Sequence, residues 1–463
     1  MIKLKEEIIE TLLDKAIDKA KTDETVQLIS YTKEVDEINP IQFFEAAKYM
    51  SKDRTFWTST AEDFYIVGIG NAYKIDTDKD RFHHTEKQWQ KIVDKAIIHN
   101  SYQVPGTGLL AHGGMSFDPT KPKSFLWKKF NHSSFTIPEF ILTKSDNTFY
   151  FTVNVRVNKE DHSLQLTNEL RRMEHTLLTY TEQLPEGAAI KSKKEIEPDK
   201  WKESVQMATE QIKHSEVEKI VLAREMRLKL TKEAEIGVML DRLITTQPNS
   251  YVFAIESDGD CFIGTTPERL VKLENKQLLS TCLAGTAPRG KTKQEDDKMS
   301  YNLLHDEKNR NEHEFVVSMI KDAIEGYCYN VVVPKEPVIY PLKNLQHLYT
   351  PVTATLKNGH SIFDIVKQLH PTPALGGVPR EKSLAFIREH ELLDRGRYGA
   401  PIGWLDSNQN GEFAVGIRSG LIQGDEISLF AGCGVVKDSD PQAEYEETNV
   451  KFLPMLSVLG EKL

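Results

Sequence analysis

The sequence predicts an α+β fold in which large antiparallel or mixed sheets are ringed by helices. Three observations carry this expectation. Strand-like and helix-like segments interleave irregularly along the 463 residues, strand-like runs are often paired across short turns, and no internal repeat, low-complexity tract or long linker interrupts them. A doubly wound parallel sheet would instead alternate strand and helix regularly.

The chain opens on MIKLKEEIIETLLDKAIDKA, where Ile8, Ile9, Leu12, Leu13, Ala16 and Ile17 recur at helical spacing with charges between them. Those charges argue against a signal peptide, which needs an unbroken apolar run and a small-residue cleavage site. No run of about 18 apolar residues occurs anywhere. The expectation is a cytoplasmic protein without a membrane partner. FYIVGIG (64–70) and TGLLAHGG (107–114) read as buried strands, and EFILTKSDNTFYFTVNV (139–155) as a hairpin turning at KSDN. LQLTNELRRMEHTLLTY (164–180) has helical spacing. The polar stretch LPEGAAIKSKKEIEPDK (184–200) is the best candidate for a boundary.

Beyond it, WKESVQMATEQIKHSE (201–216) is an amphipathic helix leading into the strand-like VEKIVLAREMRLKL (217–230). YVFAIES, CFIGTTPERLVKL and QLLSTCLAG continue the strands, and a long helix runs from about 305 to 326. Two hairpins follow, APIGWLD…GEFAVGIRSGLI and ISLFAGCGVV. A final helix begins at SDPQAE, where Asp440 suits the N-cap and Pro441 the first helical position.

Composition excludes some functions. A net charge of −10 leaves no basic excess to displace counterions from phosphates, so no nucleic-acid partner is expected. Cys261, Cys282, Cys328 and Cys433 lack CxxC spacing, which predicts neither a zinc site nor a disulfide framework but reduced thiols.

Several side chains can carry chemistry. In the helix from 305, Phe315, Val316, Met319, Ile320, Ala323 and Ile324 mark a core-facing stripe, and Glu312 falls on the same face. An inward carboxylate must be paired, hydrogen-bonded or bound to a metal. In EYEETNVKF (444–452), Glu444, Glu447 and Lys451 share one helical face and Glu446 points elsewhere, so two helices each offer a carboxylate of the kind Mg²⁺ accepts. Lys219 alternates with Val217, Val221 and Ala223, and apolar neighbours would make it a usable base, unless it snorkels to water from a strand edge. Glu268 follows Pro267 at a kink and becomes a proton donor if desolvated, the alternative being an ion pair with Arg269. Thr286 and Arg289 sit in the small-residue turn CLAGTAPRG. Arg418 lies in AVGIRSG on an otherwise apolar strand, a fork suited to a carboxylate or to an internal ion pair. Gly432 and Gly434 in FAGCGVV either let a ligand approach the backbone or mark a bulge or tight turn.

Taken in order, EKIVLARE, GTTPERLV, CLAGTAPRG, DEKNRNEHEF, LQHLYTPVTATL, HPTPALGGVPRE, RYGAPIGW, FAVGIRSGLI and FAGCGVVKDSDPQAEYEETNVK resemble the chorismate-utilising enzymes. That family comprises the anthranilate, aminodeoxychorismate, isochorismate and salicylate synthases. The resemblance implies one large fold in which 1–195 contributes strands and helices and 196–463 forms the chorismate-binding catalytic region. It implies a Mg²⁺ ion held by Glu312 and Glu447, with Glu444 reaching it through water. It also implies Lys219 as the base that activates water and Glu268 as the acid. Arg418 and Tyr398 match residues that hold the pyruvyl carboxylate, Gly432, Gly434 and Lys451 match others around the substrate carboxylates, and Thr286 and His347 match ring-side contacts. Ammonia-using members typically carry Gln where Lys219 stands, and a covalent lysine would occupy the place of Ala284. Chorismate is therefore the expected substrate and isochorismate the product, in the menaquinone pathway, by a monomer or weak dimer without an amidotransferase subunit. The alternatives are a siderophore-pathway isochorismate synthase, a salicylate synthase, or a non-catalytic relative that binds chorismate and metal.

Overall fold

Apolar alternation along the strands dictates two sheets that each need cover on both faces. The computed structural model describes residues 2–342 and 345–461, and among them lie a 13-stranded mixed sheet and a 10-stranded antiparallel sheet. The larger sheet is antiparallel except where Gln27–Val35 pairs in parallel with Ile97–His99. Between the sheets, Trp57, Phe253, Phe262 and Phe430 of the larger meet Leu110, Ile402, Trp404 and Ala414 of the smaller. Each such buried side chain contributes roughly 1.5–3 kcal/mol, so this apolar layer holds the sheets together. On the outer faces, helices Pro40–Ala46, Ile236–Thr246 and Pro441–Val458 cover the larger sheet. Arg81–Lys95, Glu307–Glu325 and Ile362–Leu369 cover the smaller. The architecture is the α+β arrangement of stacked sheets ringed by helices that the sequence predicts.

Short connections of two or three residues carry the chain from one sheet to the other at two double crossings. In the first, Phe64–Ile69 leads through 70–72 into Tyr73–Thr77 of the smaller sheet, and Ser133–Ile137 returns through Pro138 and Glu139 into Phe140–Ser145. In the second, Asp260–Thr266 leads through Pro267 and Glu268 into Arg269–Glu274. Gly411–Val415 returns through Gly416, Ile417 and Arg418 into Ser419–Gln423.

The hairpin expected at KSDN is present, and Asp146 (φ 49°) and Asn147 (φ 61°) both take the left-handed conformation that a two-residue turn requires. Other expectations are corrected. The polar stretch 184–200 contains the strand Ile190–Glu195, which pairs with Lys219–Leu230 at the edge of the larger sheet. Its lysines obscure any apolar alternation, and they protect a free edge from pairing with another chain. Both sheets draw strands from before and after residue 195. Helix Lys293–His305, opened by a capping box between Thr292 and Glu295, was not anticipated. In Glu307–Glu325 the buried residues are His313, Ile320 and Ile324, while Phe315 is 43% exposed and Glu312 is exposed as well. The helix rests one step further round than its apolar residues imply, because His313 takes the inward place. Its Nδ1–H donates to the Ala284 carbonyl (3.1 Å), and its Nε2 shares a hydrogen bond with Thr350 Oγ1 (2.7 Å).

All four cysteines are free and buried. Among the described residues no helix is long and apolar enough to cross a membrane.

Candidate active site

Where Pro267 stops one strand and forces the chain across, a cavity of about 600 Å³ opens between the sheets. Lys219 and Val221 enter it from one strand of the larger sheet, beside Gly432 and Gly434 on the paired strand Glu426–Val435. Ala284, Thr286 and His347 enter from Gln277–Pro288 and Leu345–Leu356 of the smaller sheet. Glu312 comes from helix Glu307–Glu325, Glu447 and Lys451 from helix Pro441–Val458, and Tyr398 from the loop after Arg380–His390. Glu268 and Arg418 stand at the two strands of the crossing itself.

Local chemistry aims each group. The last helix is capped by Asp440, whose side chain accepts from Gln442 N and Ala443 N, with Pro441 at its first position. Its inner face, Tyr445, Thr448 and Phe452, is pinned by Arg224, which donates to Thr448 Oγ1 (2.7 Å) and lies over the Tyr445 ring. That orientation turns Glu447 and Lys451 to the cavity, where they form an ion pair (2.7 Å), and Lys451 also donates to the Gly432 carbonyl (2.8 Å). Glu446 is exposed, as its place on the helix requires. Glu444 does not line the cavity, and its carboxylate accepts from Ser439 Oγ (2.6 Å).

Lys219 pairs with Glu312 across the cavity (2.8 Å). Gly434 leaves room for it, since a Cβ there would fall 2.6 Å from Lys219 Cε. Neither Gly432 nor Gly434 forms a turn or bulge: both sit in regular pairing opposite Ala223 and Val221. Thr286 Oγ1 and His347 Nδ1 share a hydrogen bond (2.9 Å), and Gly285 (φ 77°) forms the bulge that brings them level. Burial, with Arg418 adding to it, lowers His347 to about 4, so its ring is neutral at pH 7. Tyr398 is buried, and burial raises its hydroxyl above the ordinary phenol range.

Glu268 is the group most altered by its place. Burial pushes its carboxyl up to about 7, against the opposing pull of the Thr372 hydroxyl and of Arg418, Lys219 and Lys451. A carboxyl raised in this way keeps its proton to higher pH than an exposed one, as a proton donor needs. Arg418 is corrected from a strand position to the break between two strands, at φ 47°. No carboxylate lies within ion-pair distance of it among the described residues, whereas Arg269 pairs with Glu412 (2.8 Å) and Glu62 and leaves Glu268 free. Arg289 is likewise committed, to Asp296 and the Leu342 carbonyl (2.7 Å), and does not face the cavity.

Two groups escaped sequence reading. Thr372, in HPTPALGG, donates to Glu268 Oε1 (3.4 Å). Arg395 lines the cavity but is held by a buried bidentate pair with Glu391, and Glu391 also accepts from Ala223 N (2.7 Å). The motif holding Thr372 was visible, but which of its residues turns inward was not.

Glu312 and Glu447 offer hard, ionised oxygens from two helices that face one cavity, which is donor chemistry suited to Mg²⁺ completed by water and a ligand carboxylate. Among the described residues no group of three or more His, Cys, Asp or Glu side chains is arranged as a ready metal cage. A cation here would therefore take further ligands from water or substrate.

Residues 15–460 match the family described as chorismate binding enzyme. The chain belongs to the chorismate-binding enzyme family. Among relatives, it is 40% identical over 453 residues to isochorismate synthase MenF of Bacillus subtilis, covering 96% of each chain. It is 31% identical to the salicylate biosynthesis isochorismate synthase of Pseudomonas aeruginosa, covering 96% of this chain and 93% of that one. The menaquinone-specific isochorismate synthase MenF of Escherichia coli superposes with a TM-score of 0.79 at 22% identity, over 97% of this chain and all (100%) of that one. Anthranilate synthase component I of Streptococcus pneumoniae superposes at 0.69 and 20% identity, over 85% and 92%. Both solved structures thus share the fold of this chain.

Proposed function

We propose that this protein is an isochorismate synthase that converts chorismate to isochorismate in menaquinone biosynthesis. The observation that carries the reading is the pairing of Lys219 and Glu268 in one cavity, a base type and a carboxyl held at about 7, together with Ala284 where a covalent lysine would be needed. The 40% identity to a MenF isochorismate synthase over almost the whole chain supports the same product and pathway.

The reaction moves a hydroxyl without changing composition. Lys219, as the free amine, takes a proton from water as the oxygen bonds to C2 of the ring. The ring double bonds shift, the C4–O bond breaks, and Glu268 gives its proton to the departing hydroxyl. One proton enters the protein and one leaves. Arg418, with no carboxylate partner among the described residues, is free to hold a substrate carboxylate through two parallel hydrogen bonds. Lys451 and the neutral Thr286–His347 pair orient the ring.

Glu312 and Glu447 would hold Mg²⁺, which supplies the positive charge that neutralises the ring carboxylate. For the two glutamates to bind it, the ammonium groups of Lys219 and Lys451 must release them, and both lysines then face the substrate. Glu312→Gln or Glu447→Gln should abolish turnover and weaken Mn²⁺ binding measured by electron paramagnetic resonance. Full turnover in excess EDTA would exclude this arrangement.

The deciding experiment is incubation with chorismate, Mg²⁺ and an ammonium salt, followed by chromatography. Isochorismate is expected. Anthranilate would overturn the role of Lys219, and salicylate as the main early product would move the assignment to a salicylate synthase.

A further inference from the structure

We propose that Thr372 is the positioning residue of the proton donor: its hydroxyl holds one oxygen of the Glu268 carboxyl, so that the other carries the proton toward the substrate. This inference rests on the reading of Glu268 as the acid.

The geometry is built from both sides. The Glu268 backbone is fixed by its own N–H, which donates to Thr266 Oγ1 (3.2 Å), and by its carbonyl, which accepts from Val415 N (3.1 Å). Among the described residues the Thr372 hydroxyl is the side-chain donor that meets its carboxyl, at Oε1 (3.4 Å). Thr372 is itself held in a tight turn, its carbonyl accepting from Leu375 N (3.0 Å) and Gly376 N (2.9 Å). The chain then pairs Gly377 and Val378 with Ile220 and Lys219, and Ser383 Oγ donates to the Lys219 carbonyl (2.9 Å). One segment thus grips the side chain of the acid and the backbone of the base.

The charged and titratable groups around Glu268 are Arg418 from the returning crossing, Lys219, Lys451 from the last helix, Tyr398 and Cys282. Arg418 opposes protonation, as Lys219 and Lys451 do while they carry a proton, and Tyr398 and Cys282 are neutral. When the Glu268 O–H bond breaks and its proton bonds to the departing hydroxyl, the carboxyl becomes an anion. The bond from Thr372 is then charge-assisted and stronger. An interaction that strengthens along the reaction lowers the barrier more than it aids binding.

Thr372→Val and Thr372→Ala remove the hydroxyl with different changes in volume, and Thr372→Ser retains it. Rates of isochorismate formation from pH 5.5 to 9.5 would be measured with thermal midpoints. Both hydroxyl-free variants should lose about tenfold in kcat with KM within about twofold, as expected for one hydrogen bond to a charged group. Without the donor, Glu268 holds its proton to higher pH, so the alkaline limb of the profile should move upward. Serine should restore rate and limb together. Wild-type kcat with an unmoved limb in the alanine variant overturns the inference, as does a loss in valine that alanine does not share. Glu268→Gln separates the two levels. If it is inactive while Thr372→Ala is normal, Thr372 alone is misassigned, whereas a fully active Glu268→Gln removes the reading of the acid itself.

Discussion

The two double crossings perform the same manoeuvre with opposite outcomes. At 70–72 and 138–139 Gly70 N donates to the Asp53 carbonyl (2.9 Å), Asn154 Nδ2 donates to the Pro138 carbonyl (2.8 Å), and Glu139 pairs with Lys52 (2.7 Å). At 267–268 and 416–418 the backbone is bonded too, yet among the described residues the Glu268 carboxyl has one long hydrogen bond and Arg418 has no carboxylate within ion-pair distance. The second crossing borders the cavity of about 600 Å³, and residues 70–72 and 138–139 of the first do not line it. Crossing between sheets makes the opening, and leaving side chains without partners there makes it reactive.

Substitutions at the two crossings should therefore diverge. The largest effect is expected from Glu268→Gln, which leaves no proton to give, and from Lys219→Gln, which removes the base. Each should cost about 10²–10⁴-fold in kcat while circular dichroism stays that of the folded wild type. A variant at either position that turns over normally would break the contrast. Next in size, Arg418→Met should raise KM about 10–100-fold, the value of hydrogen bonds to a charged group, with a smaller change in kcat. An unchanged KM would mean that the unpaired guanidinium has no substrate carboxylate to meet.

A subtler difference should appear in stability against pH. The folded pKa of Glu268 is raised to about 7 by burial, so its contribution is fully present below the unfolded value and is lost as pH rises through 7. Glu268→Gln cannot ionise, and its thermal midpoint should therefore gain on the wild type between pH 5 and pH 8. Parallel curves across that range would show that the carboxyl is not desolvated. The smallest effect belongs to the first crossing: Glu139→Gln removes a partly exposed ion pair, costs about 0–1 kcal/mol in urea denaturation and leaves turnover unchanged.

Much of this was legible in the chain, for reasons that differ between elements. The final helix declared itself through Asp440 and Pro441, and the KSDN hairpin through turn chemistry, because caps and turns depend on neighbouring residues alone. The edge strand 190–195 was hidden, since a lysine-rich edge carries no apolar alternation. The face of helix 307–325 was misjudged because His313, bonded at both ring nitrogens, outcompetes Phe315 for the inward position. In the candidate site, residue types were readable but their relations were not. Nothing in CLAGTAPRG distinguishes Thr286, which meets His347, from Arg289, which is tied to Asp296. The space beside Gly434 serves Lys219, on another strand, and only the three-dimensional arrangement shows it.

The stitching of the sheets at the second crossing also sets how the molecule can breathe. The strands on either side of 267–268 and 416–418 are paired in both sheets at once, so widening the cavity at that end would require two ladders to part together. The opposite wall, helices Glu307–Glu325 and Pro441–Val458, is bound across the cavity through side chains. Amide hydrogens of 260–274 and 411–423 should accordingly exchange with solvent only when the whole protein unfolds, and those of the two helices sooner, so that ligands enter past the helices while the reacting end stays shut.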